Sequence, residues 1–357
     1  MHVAIDTNGL YTTQAGVARY IRGLIKGLTQ IRPSDLSFFE FAWPVENFDY
    51  RQPQRSLKTI YRELFWMKLA APRLLVRNSP DLLHSTVGYQ VVPPRGMKVV
   101  ATLHDLAVFR HPERFRFWQR RAGRTSLSAI TKADRIICIS RFTADEGINL
   151  LGIPSARIDV VHNGCEFHPS EALPAEEKPD FELPKEFFLF VGSLEPGKNL
   201  SLLRDAYQLA NDQGKSLPHL VIVGARWEGV THEGLPPRDW HYLGRQPDSV
   251  LIYLYRRALA LVFPSKYEGF GLPVVEAMSL GCPVICSPVA SLPEVGEGAA
   301  MFVESTPKAY ADAMNELCVN AGLRQVMVEC GCKQAQKFSW RRCGEETIHV
   351  YRAALQE

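Results

Sequence analysis

Residues 263–287 read FPSKYEGFGLPVVEAMSLGCPVICS. The stretch begins at the end of an apolar run, ALALVFPS (258–265), of the kind found in strands covered on both faces. KYEGFG then supplies a glycine turn, Pro273 fits the first position of a helix, and CPVICSP (282–288) reads as the next strand. Strand, turn, helix, strand is the repeating unit of a parallel α/β sheet. Two carboxylates flank the turn, Glu268 before it and Glu276 in the expected first helical turn. Gly269 and Gly271 let backbone approach a ligand closely, and the N–H groups of Phe270, Gly271 and Leu272 surround a helix N-terminus, which favours anions. Taken singly, Glu276 reads as a dipole-complementing acid and Glu268 as a solvated turn residue. Together around one turn they suit a polyhydroxylated anion such as a sugar nucleotide, with carboxylates accepting from hydroxyls and amides holding the negative part.

The same alternation runs outward in both directions. HVAID, DLLHS, KVVATLHD, RIICIS and RIDVVHN read as strands in the first half, and VARYIRGLIKGL places Val17, Ile21, Leu24, Ile25 and Leu28 on one helical face. A polar, aperiodic segment, PSEALPAEEKPDFELP (169–184), reads as a linker. FFLFVGSL, a helix from about Asn199, and HLVIVGA follow it, and three helical patterns close the chain. The expectation is two doubly wound, Rossmann-like α/β domains, 1–175 and 183–338, with the site in the cleft between them beyond the carboxyl ends of the strands.

With 357 residues the chain is too long for one ordinary core. It has no run of about 18 apolar residues, so no membrane-spanning helix is expected. MHVAID opens directly as a strand without the regions of a signal peptide, which leads us to expect a cytoplasmic protein. The eight cysteines form no C-x-x-C pair and read as reduced, buried thiols. Residues 1–170 hold 23 Lys+Arg against 14 Asp+Glu, whereas the remainder holds 18 against 24. That asymmetry points to an anionic partner for the first half. Segments 50–80 and 110–124 concentrate it: seven and six basic residues, one acid each, interleaved with Tyr61, Phe65, Trp66, Phe115, Phe117 and Trp118. Such a pattern suits an anionic inner-membrane surface, its bland counterpart being a solvated face over core aromatics. No nucleic-acid partner is expected.

The stretch 264–287 resembles the E-x7-E signature of family 4 retaining glycosyltransferases. VGSLEPGKNL from 191 resembles the donor-site loop of that family, TLHDL from 102 its active-site His-Asp, and SLPEV from 291 and FSW from 338 match in order and position. The resemblance covers nearly the whole chain and falls closest to the mannosyl- and rhamnosyltransferase branch. It implies a GT-B fold, with the donor bound mainly by the second domain and a last helix, 339–357, crossing back to the first. By the same resemblance Glu268 contacts donor-sugar hydroxyls with the main chain of Phe270 and Gly271, Gly269 belongs to the same donor-binding turn, Leu272 offers its N–H to the diphosphate, and Glu276 binds the ribose. Lys198 neutralises the departing diphosphate, and His104 touches the donor sugar. Gly16 matches the loop that admits diphosphate and acceptor, and Gly224, Arg226, Gly244 and Arg245 frame the base. The chain departs from the family at Ser193, where many members carry arginine, and at Gly197, where a basic residue is common. Lys198 therefore stands almost alone among donor-site cations, unless Arg226 adds to it.

The activity implied is metal-independent hexosyl transfer with retention, from a nucleotide-diphosphate sugar to a glycan or lipid-linked acceptor of a surface polysaccharide. A GDP-sugar is favoured over a UDP-sugar, mannose or a deoxyhexose such as rhamnose over glucose, and no resident cofactor is expected. No D-x-D is present to hold a metal. Two alternatives share the architecture: a nucleotide-sugar 2-epimerase and a non-catalytic two-lobed sugar-binding protein. A dinucleotide oxidoreductase is disfavoured, because no G-x-G-x-x-G follows a strand.

Overall fold

The computed structural model describes residues 1–12, 16–44, 54, 57–58, 61–88, 91–169, 173–225 and 240–356. The chain divides into two compact units, one of Met1–Gly164 with Ser339–Glu357 and one of Cys165–Phe338. In the first, strands β1 (His2–Asp6), β2 (Ser37–Phe41), β3 (Leu82–Ser85), β4 (Lys98–Leu103), β5 (Arg135–Cys138) and β6 (Ile158–Val160) form one sheet in the order β2-β1-β3-β4-β5-β6. In the second, β7 (Phe187–Val191), β8 (His219–Val223), β9 (Trp240–Gly244), β10 (Leu261–Phe263), β11 (Val284–Cys286) and β12 (Met301–Phe302) are ordered β12-β11-β10-β7-β8-β9. Every pairing is parallel. The central strands are buried on both faces, as the apolar runs VAI, LVIV and FFLF require.

Counted from β7, the second sheet runs 3-2-1-4-5-6, the order of a dinucleotide-binding fold. The strand order reverses between β7 and β10, the switch point at which folds of this kind bind ligands. In the first sheet the reversal falls between β1 and β3. Both halves are doubly wound, Rossmann-like α/β units.

Three strands escape the sequence pattern: SFFEF, WHYLG and MF, which are β2, β9 and β12. All three are sheet edges, short or partly exposed, so none carries a long aliphatic run. The 169–184 segment also differs from expectation. The division falls at Gly164, ahead of the boundary at 175, and the described part of the segment is held on the second unit. Glu176 pairs with Arg256 (3.0 Å) and Arg257, and the Glu177 carboxylate accepts from Ser249 Oγ (3.0 Å). Its charges answer the arginines of the Asp248–Arg257 helix, so a polar composition does not make it a free tether.

The C-terminal helix, Trp340–Gln356, lies in the first unit and buries Trp340, Tyr351 and Ala354 against the Gly16–Ile31 helix and the sheet. A fully buried polar chain joins it to the strands. Tyr351 OH and His84 Nδ1 are 2.6 Å apart, His84 Nε2 and Thr102 Oγ1 2.8 Å, and Thr102 Oγ1 and Tyr20 OH 2.8 Å. Burial drives the His84 pKa down to about 3, so the imidazole is neutral at pH 7. Tyr351→Phe removes its Nδ1 partner and is expected to destabilise the first unit by about 1–3 kcal/mol. A fall in the urea midpoint of that unit checks this, and an unchanged midpoint refutes it.

All eight cysteines are free thiols. Burial pushes Cys138, Cys282 and Cys343 up to about 12, leaving them protonated and inert at neutral pH. Among the described residues no helix is long and apolar enough to cross a membrane.

Candidate active site

At the switch point of the second unit the chain leaves β7 through Gly192 and Ser193, makes a single 3-10 turn at Pro196–Lys198, and enters the Leu200–Asp212 helix. The chain leaving β10 passes Glu268 and enters the Leu272–Ser279 helix. Lys198 Nζ meets Glu268 Oε1 at 2.5 Å, and both side chains are largely buried, 15% and 12% exposed. The same Nζ lies 5.3 Å from the centre of the Phe263 ring, a cation–π contact that fixes the ammonium from below. Lys266 N–H donates to the Gly197 carbonyl (2.9 Å), so main chain and side chain both clamp the two loops together.

The turn is built for one conformation. Gly271 has φ +99°, and a Cβ there would stand 2.7 Å from Leu292 Cδ2. Ser291, fully buried, shares its hydroxyl proton between the carbonyls of Glu268 (2.9 Å) and Phe270 (3.0 Å). Phe270 turns its side chain into the core against Phe338, ring centres 5.6 Å apart, which leaves its main chain to face the turn. Among the described residues, the N–H groups of Gly271 and Leu272 donate to no protein acceptor. They open the Leu272–Ser279 helix, where backbone donors and the dipole both attract negative charge.

Two expectations about this helix are corrected. Pro273 occupies its second position, because Leu272 is already helical, and Glu276 lies one turn further in rather than in the first turn. Glu276 is therefore not placed to complement the dipole. It is buried, 3% exposed, and Oε2 accepts the Tyr255 hydroxyl proton at 3.1 Å. Tyr255 and Ser291 were not singled out by sequence reasoning. Each acts through a tertiary contact, although Ser291 opens the SLPEV motif, and an ordered motif with a small polar residue at its head was the available signal.

Gly224, at the end of β8, packs directly on Gly192, and its N–H donates to the Gly244 carbonyl (2.8 Å). Gly192 in turn lies beside Lys198. Ser193, Lys198, Gly224, Gly244, Glu268 and the turn Gly269–Leu272 thus form one contiguous edge beyond the strands. Arg245 is exposed on it, and Arg226 lies outside the described residues.

In the first unit His104 follows β4 and is partly buried. Its Nε2 lies 2.8 Å from the Thr86 carbonyl. A carbonyl only accepts, so Nε2 carries the proton and Nδ1 presents a lone pair. Burial lowers the His104 pKa, which keeps the ring neutral. Tyr20 holds the ring edge-on, centres 4.9 Å apart and planes at 82°. Asp105, its neighbour in TLHDL, accepts the Ala107 N–H (2.9 Å) and shapes the following turn. Gly16 is exposed at the start of the Gly16–Ile31 helix.

Residues 15–167 match Glycosyltransferase Family 4, and residues 174–334 match Glycosyl transferases group 1. The chain is 31% identical to the O-antigen chain mannosyltransferase B of Escherichia coli, over 99% of this chain and 100% of that protein. It therefore belongs to the glycosyltransferases of these families and is a glycosyltransferase enzyme. Sucrose-phosphate synthase from Thermosynechococcus elongatus superposes with a TM-score of 0.73 at 18% identity, covering 100% of this chain and 99% of that one. Anabaena HepE in complex with UDP-glucose gives 0.69 at 18%, covering 99% and 100%. The fold shared with them is GT-B.

Proposed function

We propose that this enzyme transfers mannose, with retention, from a nucleotide-diphosphate donor onto a growing glycan of a surface polysaccharide. The observation that carries the reading is the Lys198–Glu268 pair beside an open helix N-terminus at the switch point. It is joined to full-length similarity with a protein named as an O-antigen mannosyltransferase. The Gly271 and Leu272 amides receive the diphosphate. Lys198 neutralises the charge that grows as the glycosidic C–O bond breaks, a role that lowers such barriers by ~3–4 kcal/mol. Glu268 turns its Oε2 to the sugar hydroxyls. In the first unit, His104 offers Nδ1 as an acceptor for a hydroxyl. Glu276, oriented by Tyr255, accepts from the ribose hydroxyls. The acceptor oxygen forms its bond to the anomeric carbon on the face the phosphate leaves, and its proton passes to a departing phosphate oxygen. Lys198, not a metal, is the cation in this scheme.

Incubation with candidate donors and no acceptor tests the class. Slow release of nucleoside diphosphate supports transfer, an isomerised nucleotide sugar supports the 2-epimerase, and neither supports a sugar-binding protein. Thermal shift across nucleoside diphosphates tests the donor. GDP is expected to raise the melting temperature most. Stabilisation by UDP alone moves the donor to a UDP-sugar. Activity unaffected by EDTA, with the product anomer read by NMR, tests metal independence and retention.

We also propose that the first unit docks peripherally on an anionic membrane. Leu57, Tyr61, Phe65 and Leu69 recur every fourth residue and are all exposed, with Lys68, Arg73 and Arg77 exposed beyond them. Trp66 and Arg62 of the same segment are buried, and for Trp66 this is the core-aromatic alternative that the sequence leaves open. Trp66 packs on Phe41 and Trp43. Co-sedimentation with phosphatidylglycerol vesicles at low salt is expected, and absence of binding there ends the proposal.

A further inference from the structure

We propose that the Phe117–Ile130 helix carries a binding site for a phosphate or diphosphate ester, separate from the donor turn. Phe117, Arg120, Arg121, Arg124 and Thr125 line a cavity of about 390 Å³. They recur at i, i+3, i+4, i+7 and i+8, so one helical face supplies them all. Leu127 and Ile130 bind the helix to the core of the unit, and Gly123 packs on Val108. The arginine face is thereby turned away from the core.

Three arginines line one cavity here with no answering acid beside them. Between Glu113 and Asp134 the chain has six basic residues and no carboxylate. Among the described residues, none of the Arg120, Arg121 and Arg124 side chains has a hydrogen-bond acceptor or ion-pair partner, and Arg120 Nε is buried without one. Arg124 stacks its guanidinium on the Phe109 ring at 5.6 Å, which orients the side chain but leaves its charge uncompensated. Other arginines of the chain do find acids. Arg341 and Arg342 meet Glu345 and Glu346 four residues on, Arg135 meets Asp159, and Arg352 meets Asp35. Like charges at three- and four-residue spacing repel along a helix, so this face gains from an anion that bridges them. Guanidinium forks match phosphate oxygens bidentately, and clustered guanidiniums favour phosphate over a singly charged carboxylate. Phe117, 69% exposed beside the cavity, offers an apolar contact to the chain of an ester.

The test is arginine-specific labelling of the intact protein with phenylglyoxal, mapped by peptide mass spectrometry. Inorganic pyrophosphate, phosphatidylglycerol vesicles and phosphatidylcholine vesicles are compared, with sodium chloride at matched ionic strength as reference. Several-fold slower labelling at Arg120 and Arg124 with pyrophosphate supports a site for a diphosphate ester. Slowing by phosphatidylglycerol vesicles alone supports the same site filled by a lipid headgroup. Labelling unchanged by all three, or slowed no more than by chloride, overturns the proposal. Because the readout is local, pyrophosphate bound at the donor turn does not imitate it, and failure here leaves the transferase reading standing.

Discussion

Glu268→Ala is expected to cut turnover by about two to three orders of magnitude while the second unit stays folded. One oxygen of the carboxylate is engaged by Lys198 at 2.5 Å, and the other is the acceptor we assign to donor-sugar hydroxyls. Alanine removes both functions. It also leaves the Lys198 ammonium largely buried beside Phe263 without its counter-ion. That loss costs ~2 kcal/mol of stability, less than for a fully buried pair because both groups reach the rim. The second unit has its own sheet and core to absorb it. Glu268→Gln separates the two effects, since the amide oxygen still accepts from a hydroxyl but no longer pairs a cation. Lys198→Ala is expected to lower turnover more than donor affinity, because its charge acts mainly on the departing diphosphate. If the pair works as a unit, the double variant is no slower than the worse single one. Wild-type kinetics in Glu268→Ala, with the fold verified by circular dichroism, removes Glu268 from the chemistry.

The site was legible where local sequence dictates local geometry. The glycine turn after β10, the helix it opens and the lysine after β7 each follow from strand–turn–helix patterning, and the switch point brings them together. Position within the helix was less legible, because a capping glycine with φ +99° starts it one residue before Pro273 and moves Glu276 out of the first turn. Partners distant in sequence could not be read at all. Tyr255 reaches Glu276, Ser291 reaches the Glu268 and Phe270 carbonyls, and Tyr351 reaches His84 only after the sheets form. Composition was a poor guide in two places. It leaves Trp66 open between a surface and a core position because cations surround it, and its helix turns it inward. The 169–184 segment looked like a tether because it is polar, yet its acids answer arginines on a neighbouring helix. In both cases the face of an element, not its average polarity, decides burial.

Gly224→Ala is expected to be the most damaging single-methyl change in the second unit. Gly224 was read from sequence as part of the frame around the donor base. Its geometry assigns it first to packing. At φ +151°, a Cβ would stand 1.7 Å from the Gly192 carbonyl oxygen and 2.7 Å from its carbon. Both are backbone atoms, so no rotamer change relieves the clash and the ends of β7 and β8 must separate. That movement strains the Gly192 N–H to Val223 and Leu194 N–H to Ala225 hydrogen bonds, both 2.9 Å, and the Gly224 N–H bond to Gly244. Loss of about 4 kcal/mol or more follows, from an overlap with backbone added to an unfavourable φ. Gly192 also borders Lys198, so the displacement reaches the ion pair and lowers donor affinity together with stability. Gly244→Ala is the matched control. Its φ is also positive, +64°, but no heavy atom lies within 4 Å of the added methyl. Only the left-handed conformation is penalised there, about 1–2 kcal/mol. Urea unfolding of the two variants side by side decides the matter. A much larger loss at 224 than at 244 confirms backbone contact as the cause, and equal losses refute it, leaving conformational strain alone to explain both.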